Sequence, residues 1–417
     1  MDKLIIKGGR QLKGSVRISG AKNAVLPIMA ATILCPGDHR IDNVPSLRDV
    51  STMGRLLEHI GYDVEADGSC AVIRSNGQNV TDAPYELVKT MRASVVVLGP
   101  LLARYGRARV SLPGGCAIGA RPINMHLMAL EKMGAKITLE EGYVVAEAKR
   151  LKGADIMFDI PTVTGTENVL MAASIADGVT RIENAAREPE VIDLADALVS
   201  MGAKIEGAGE GIITVEGVEG LKPLDYSVIP DRIEAGTFMA AVAMTKGDVI
   251  LENCRVDHLD SIVDKLRSSG VEFSDEKEGL RVKMNRRPLS QNIRTMPYPG
   301  FPTDMQAQLM ALMSIAEGTS VITESIFENR FMHVAEIKRF GADITIEGST
   351  ATIRGVRSLK GAPVMATDLR ASASLVIGGL GAVGETTIDR IYHLDRGYES
   401  IETKLTALGA DINRSKG

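Results

Sequence analysis

The chain has 417 residues and four cysteines, Cys35, Cys70, Cys116 and Cys254, and Cys116 sits in the most distinctive chemical setting. It lies in the run Ser111-Leu112-Pro113-Gly114-Gly115-Cys116-Ala117-Ile118-Gly119-Ala120-Arg121-Pro122. The glycines and prolines of this run predict a mobile, exposed loop. A thiol near a guanidinium in such a loop can be reactive or act as a proton donor, although a small side chain in a turn would serve equally well as a spacer. Further candidates stand where apolar helices begin. Lys22, Arg92 and Arg232 are poor choices there, because a cation opposes the positive end of the helix dipole. Their placement suggests helix N-termini converging on an anion such as phosphate or carboxylate. Asp304 and Asp368 occupy equivalent places and read either as helix caps or as acid–base groups. Charged loops at Arg187-Glu188-Pro189-Glu190, Glu328-Asn329-Arg330 and Asp395-Arg396-Gly397 add to a common rim.

The elements that must position these residues repeat six times. A helical run ends in Gly before a short alternating strand at Gly61, Gly134, Gly202, Gly270, Gly341 and Gly409, about 70 residues apart. Each glycine fits a left-handed helix C-cap. A second mark, an Ala/Met-rich helix ending in Gly before a β-rich run, falls at Gly37, Gly106, Gly178, Gly247, Gly318 and Gly384. The unit reads helix, strand, loop, helix, strand, with further strand before the next unit. Six such modules pack naturally as two domains of three. The opening helices, such as Ala235 to Met244 and Gln308 to Ile315, are apolar all round, so they should be buried with sheet outside them. The second module is about four residues longer than its siblings between its two glycines, and the excess is the Cys116 loop.

Composition narrows the function classes. A hydrophobic content of 45% and a net charge of -5 describe a well-packed protein with no global attraction for nucleic acid or anionic membranes. Anionic ligands must be held by local Arg and Lys clusters. No Cys/His spacing suits a metal, and tryptophan is absent, which disfavours base stacking. No apolar run suits a signal peptide or a membrane span, so a cytoplasmic location is expected.

Longer segments carry a resemblance. Gly20-Ala21-Lys22-Asn23-Ala24, Met91-Arg92-Ala93-Ser94, Pro113-Gly114-Gly115-Cys116-Ala117-Ile118-Gly119, Phe301-Pro302-Thr303-Asp304-Met305-Gln306, Glu328-Asn329-Arg330-Phe331, Thr367-Asp368-Leu369-Arg370 and Asp395-Arg396-Gly397-Tyr398-Glu399 resemble those of the UDP-N-acetylglucosamine 1-carboxyvinyltransferases, in the EPSP synthase superfamily. The resemblance spans the whole chain. It implies two inside-out α/β barrel-like domains, each of three βαβαββ repeats with buried helices. One domain, residues 21–229, would carry the Cys116 loop and the nucleotide-sugar contacts. The other, residues 1–20 plus 230–417, would carry Asp304, Asp368 and Arg396, with the active site in the cleft between them and closure during turnover.

The implied reaction moves the enolpyruvyl group of phosphoenolpyruvate to the 3′-hydroxyl of UDP-N-acetylglucosamine, with no metal and no bound cofactor. Cys116 would donate the proton and could form a phospholactoyl adduct. Lys22, Arg121 and Arg396 would bind phosphoenolpyruvate, with Asn23 near the intermediate. Asp304 would be the base and Asp368 its helper. Arg92, the run Arg121, Pro122, Ile123, Asn124 and Met125, the run Pro161, Thr162, Val163 and Thr164, and Ile326 would contact the nucleotide sugar. Arg330 and Arg370 complete the implied binding set. Both partners are small molecules, and the sequence gives no oligomeric state. One departure lies after Asp159: where many relatives have a Ser-Val-Gly-Ala-like stretch, this chain reads Ile160-Pro161-Thr162-Val163-Thr164-Gly165. That leaves the backbone contacts to a diphosphate open. The rival readings are 5-enolpyruvylshikimate-3-phosphate synthase, which the Cys116 insertion disfavours, and a non-catalytic binder of the nucleotide sugar. The resemblance also implies alkylation of Cys116 by fosfomycin.

Overall fold

A computed structural model describes residues 2–112 and 123–416. The chain divides into two units, passing between them at Ser19–Gly20 and again at Ile229–Pro230. Each unit is an inside-out α/β assembly. Among the described residues the strands form six four-stranded sheets, three per unit. In the sheet containing Asp155–Met157, that edge strand runs parallel to Val179–Glu183. Val179–Glu183 is antiparallel to Ile212–Glu216, which forms a hairpin with Lys204–Glu206. The other sheets repeat this order.

The helices behind the sheets are buried on every side, as their uniformly apolar sequences require. All residues of Arg232–Thr245 and of Gln306–Met313 are buried, and so are nine in Val163–Ala173. Close approach needs missing side chains. A Cβ on Gly99 would lie 2.4 Å from the carbonyl oxygen of Asn168, so only glycine lets helix Leu98–Tyr105 settle against Val163–Ala173.

The six glycines at the ends of the second helices all have positive φ, between 89° and 115°, as left-handed caps require. Of the other set, Gly247 differs. There the left-handed residue is Lys246, with φ 54°, and Gly247 is needed because a Cβ would lie 2.5 Å from the Leu12 carbonyl oxygen.

Two strands are exchanged. Lys13–Arg17 precedes the helix Lys22–Ala31 in sequence, yet pairs in parallel with Asp248–Glu252. Asp225–Ser227 precedes the helix Arg232–Thr245, yet pairs in parallel with Asp38–Asp42. Lys3–Lys7 fills a central place between Glu385–Asp389 and Asp411–Ser415. Around the first crossing, the Ser19 hydroxyl donates to Glu399 (2.6 Å) and accepts from Lys404 (2.7 Å). Lys404 also donates to the buried Glu234 carboxylate (2.7 Å), which accepts the Ser19 N–H (2.7 Å).

Candidate functional site

In the second-half unit, the helices Arg232–Thr245, Gln306–Met313 and Leu369–Gly381 pack together. Asp304 lies in a short 3₁₀ turn, Thr303–Met305, and is the N-cap residue of neither that turn nor the helix Gln306–Met313. Its carboxylate instead accepts from Arg330 Nη2 (2.9 Å) and Arg370 Nε (3.0 Å). Those arginine side chains are 5% and 4% exposed, against 27% for Asp304. One partly open carboxylate therefore pairs with two buried cations and neutralises the charge of only one. Burial opposes the Arg370 charge, but Asp304, helped by Tyr398 and Asp231, outweighs it and raises that pKa. The guanidinium lies over the Tyr398 ring, 5.6 Å from its centroid. The Tyr398 hydroxyl is held by Thr237 (2.9 Å) and by the Gln308 amide (3.2 Å).

Asp368 is the N-cap of Leu369–Gly381, accepting the N–H groups of Arg370 (2.9 Å) and Ala371 (3.0 Å). The capping reading, left open by the sequence, thus holds for Asp368 and fails for Asp304. Arg396 ends the turn Ile391–Arg396. Burial lowers the pKa of His393, and Arg396 and Arg390 lower it further while Asp368 raises it. Buried His333 is pushed down to about 4 by burial, with Asp368 and Arg330 acting on it in opposite senses. Ile326 is half-buried, and its N–H donates to Glu324 (2.9 Å). Glu324 also accepts from the hydroxyls of Thr295 (2.7 Å) and Thr303 (2.8 Å), which fixes the turn before Asp304.

In the other unit, Lys22 opens Lys22–Ala31 with no side-chain cap before it, and Asn23 follows half-buried. Lys22 Nζ lies 3.7 Å from buried Asp49. Arg92 opens the 3₁₀ run Arg92–Val97, which packs against both Lys22–Ala31 and Val163–Ala173. Ile123 is buried, Asn124 exposed and Met125 half-buried, at the start of Asn124–Lys132. Pro161 is half-buried, and Thr162 caps Val163–Ala173 by accepting the Gly165 N–H (3.3 Å). Val163 and Thr164, both half-buried, form its first turn. Arg232 in its own unit faces the Tyr298 ring at 5.6 Å. Cys116, Arg121 and Pro122 lie outside the described residues.

Sequence reasoning missed several residues of these clusters. Asp49, Glu324 and His126 act through long-range contacts that no spacing signals. Glu167 is buried in the helix Val163–Ala173, just past its first turn, and burial, with Glu190 and Glu188 nearby, raises its pKa well above the ordinary value. Like Lys22-Asn23 in the first module, the polar run Thr166-Glu167-Asn168 marks the start of an otherwise apolar helix, and the sequence does single it out. The three described thiols sit far from thiolate chemistry. Burial pushes Cys35 up to about 11 and Cys254 up to about 12, and it raises Cys70 as well. Among the described residues no group of His, Cys, Asp and Glu could hold a metal ion.

Two units of buried helices walled by three sheets each, with acids and cations gathered at helix starts, are the fold of an enolpyruvyl transferase. The chain matches the family described as EPSP synthase (3-phosphoshikimate 1-carboxyvinyltransferase) over residues 6–405, and it belongs to that family. Within it, the chain is 63% identical over 417 residues to a UDP-N-acetylglucosamine 1-carboxyvinyltransferase of Thermodesulfovibrio yellowstonii, covering all of both chains. It is 63% identical over 416 residues to the enzyme of that name from Geobacter metallireducens, again with full coverage. Among solved structures, the enolpyruvyl transferase NikO from Streptomyces tendae matches with a TM-score of 0.88 at 26% identity, covering 100% of this chain and 99% of that one. No helix among the described residues is long and apolar enough to cross a membrane.

Proposed function

We propose that this chain transfers the enolpyruvyl group of phosphoenolpyruvate to the 3′-hydroxyl of UDP-N-acetylglucosamine and releases phosphate, a committing step of peptidoglycan precursor synthesis in the cytoplasm. The observation that carries this reading is identity of 63% along the entire length of enzymes so named. The Asp304 cluster supports it, because the reaction needs a base and cations near anionic substrates. In this reading Asp304 takes the proton of the 3′-hydroxyl while its oxygen attacks C2, and Cys116 delivers a proton to C3. A proton then leaves C3 as phosphate departs from the tetrahedral ketal, with Asp368 assisting. Lys22, Arg121 and Arg396 would neutralise the phosphate and carboxylate, with Asn23 beside the ketal. Arg92, Arg121 to Met125, Pro161 to Thr164 and Ile326 would hold the nucleotide sugar.

Arg330 and Arg370 would complete the substrate-binding set from beside Asp304, to which each donates one hydrogen bond. The same reading makes the chain a target of fosfomycin at Cys116 and links it to cell shape and division through the cell wall. Phosphate release from phosphoenolpyruvate, measured with each acceptor, tests it. Release with UDP-N-acetylglucosamine alone is expected. Turnover with shikimate 3-phosphate alone would identify the shikimate-pathway activity. Binding of the sugar nucleotide without any release would identify a sensor.

A further inference from the structure

Three segments expected at the nucleotide sugar are joined by one hydrogen-bond chain that no expectation included. It starts at a backbone group: the Gly99 N–H donates to Asn168 Oδ1 (2.7 Å). The Asn168 amide nitrogen donates to the Val95 carbonyl (3.0 Å). These two contacts fix the orientation of the amide, because reversing it would set the Gly99 N–H against an NH₂ group and the Val95 oxygen against another oxygen. Asn168 Nδ2 therefore also donates to His126 Nδ1, 2.8 Å away. With Nδ1 accepting, the neutral ring carries its proton on Nε2. Nε2 lies 3.2 Å from Thr164 Oγ1, so the hydroxyl accepts that proton. The Thr164 proton must then point elsewhere, and no acceptor for it is found among the described residues.

We infer that His126 is a positioning residue for nucleotide-sugar binding, fixing the half-buried Thr164 hydroxyl as a hydrogen-bond donor to an anionic oxygen of the diphosphate. This rests on the proposed function for the identity of the ligand. Burial and Arg92 push His126 down to about 4, so the ring stays neutral and the direction of the chain does not change across the neutral range. The same chain ties the run that begins at Arg92 to the first turn of Val163–Ala173, through the Val95 carbonyl. It also supplies a role for Thr164, at the position where this chain departs from the glycine-containing stretch of many relatives.

The test uses binding of UDP and of uridine, measured by calorimetry on the whole protein, together with steady-state kinetics. Thr164→Val should weaken UDP roughly tenfold or more, the size of one hydrogen bond to a charged acceptor, and leave uridine unchanged. The KM for UDP-N-acetylglucosamine should rise in step while the KM for phosphoenolpyruvate stays put. His126→Gln keeps a donor near the Nε2 position and should bind UDP within about threefold of the unaltered protein. His126→Asn can accept from Asn168 but cannot reach Thr164, and should match Thr164→Val. The His126→Asn/Thr164→Val pair should be no worse than either single change. Nitrogen NMR of the imidazole should show the Nε2–H tautomer. The inference is overturned by equal damage from Gln and Asn at 126, by an Nδ1–H ring, by a silent Thr164→Val, or by failure of the unaltered protein to bind UDP. Intact UDP binding without turnover would instead sink the proposed activity and leave this inference standing.

Discussion

Asp304→Asn separates two roles that the cluster combines. The asparagine oxygen can still accept from Arg330, but its NH₂ group turns toward Arg370, whose side chain is 4% exposed. Leaving a buried cation without its partner costs about 3–5 kcal/mol, and the 27% exposure of Asp304 favours the lower end. At roughly 2–4 °C per kcal/mol for a unit of this size, thermal unfolding should fall by about 6–12 °C. If Asp304 is also the base, kcat should fall by a further factor of about 100 to 10,000 beyond any loss of folded protein. The second variant is Asp304→Asn/Arg370→Met, in which both ends of the broken pair are gone. Stability should return to within about 1 kcal/mol of the starting protein, because an apolar replacement of a buried pair is often neutral. Activity should not return. Calorimetric unfolding and phosphate release, run on the same samples, give both numbers. Recovery of kcat together with stability would refute the base assignment and reduce Asp304 to a counter-ion. A negligible stability loss in the single variant would refute the energetics.

Glu167→Gln should stabilise the protein near neutral pH. Its pKa is raised on folding, so the folded state holds the proton more tightly and loses stability as pH climbs above the ordinary carboxylate range. The gap between variant and parent should widen by up to about 1.4 kcal/mol per pH unit there and close below that range, as urea melts at several pH values would show. An epoxide phosphonate should add to Cys116 and to no other thiol. With pKa values of about 11 and 12, Cys35 and Cys254 carry thiolate at no more than roughly one part in ten thousand at neutral pH, so a peptide map placing the adduct on either would count against the assignment. Cys116→Asp should abolish the adduct but keep turnover, whereas Cys116→Ser should lose most of it, because a hydroxyl is a far weaker acid than a carboxyl. Gly99→Ala should destabilise by about 1–3 kcal/mol and weaken UDP binding with it, since its methyl would meet the Asn168 carbonyl oxygen at 2.4 Å and push that helix away.

Local signals carried the modular order well. Glycine at a helix end has one conformational reason to be there, and Gly61, Gly134 and their counterparts all take the left-handed conformation. All-apolar helices such as Arg232–Thr245 likewise had to be buried. The site was half legible. Charged residues at helix starts pointed to Lys22, Arg92, Asp304 and Asp368, but whether each was a cap or a partner depended on groups far away in sequence. Asp304 meets Arg370 across 66 residues, whereas Asp368 meets its own helix. The return of Asp225–Ser227 to pair with Asp38–Asp42 was not legible at all, because a short strand encodes a face and a propensity but not a partner. His126 escaped for the same reason: a lone histidine on a helix usually signals nothing, and its role depends on Asn168.

The exchanged strands set a timetable for synthesis. Lys3–Lys7 leaves the ribosome early, yet both its neighbours, Glu385–Asp389 and Asp411–Ser415, are made close to the end. The sheet holding Asp38–Asp42 stays one strand short until residue 227 has been translated. The unit built from residues 20–229 has all its strands once residue 227 is made, whereas the other cannot be completed until the last strand of the chain is translated, so Lys3–Lys7 and Lys13–Arg17 remain unpaired β-edges while the intervening residues are made. Slow translation of the second half, or a stop within it, would prolong that exposure, so a truncated chain should carry one finished unit and a stranded N-terminal segment that draws chaperones or proteases.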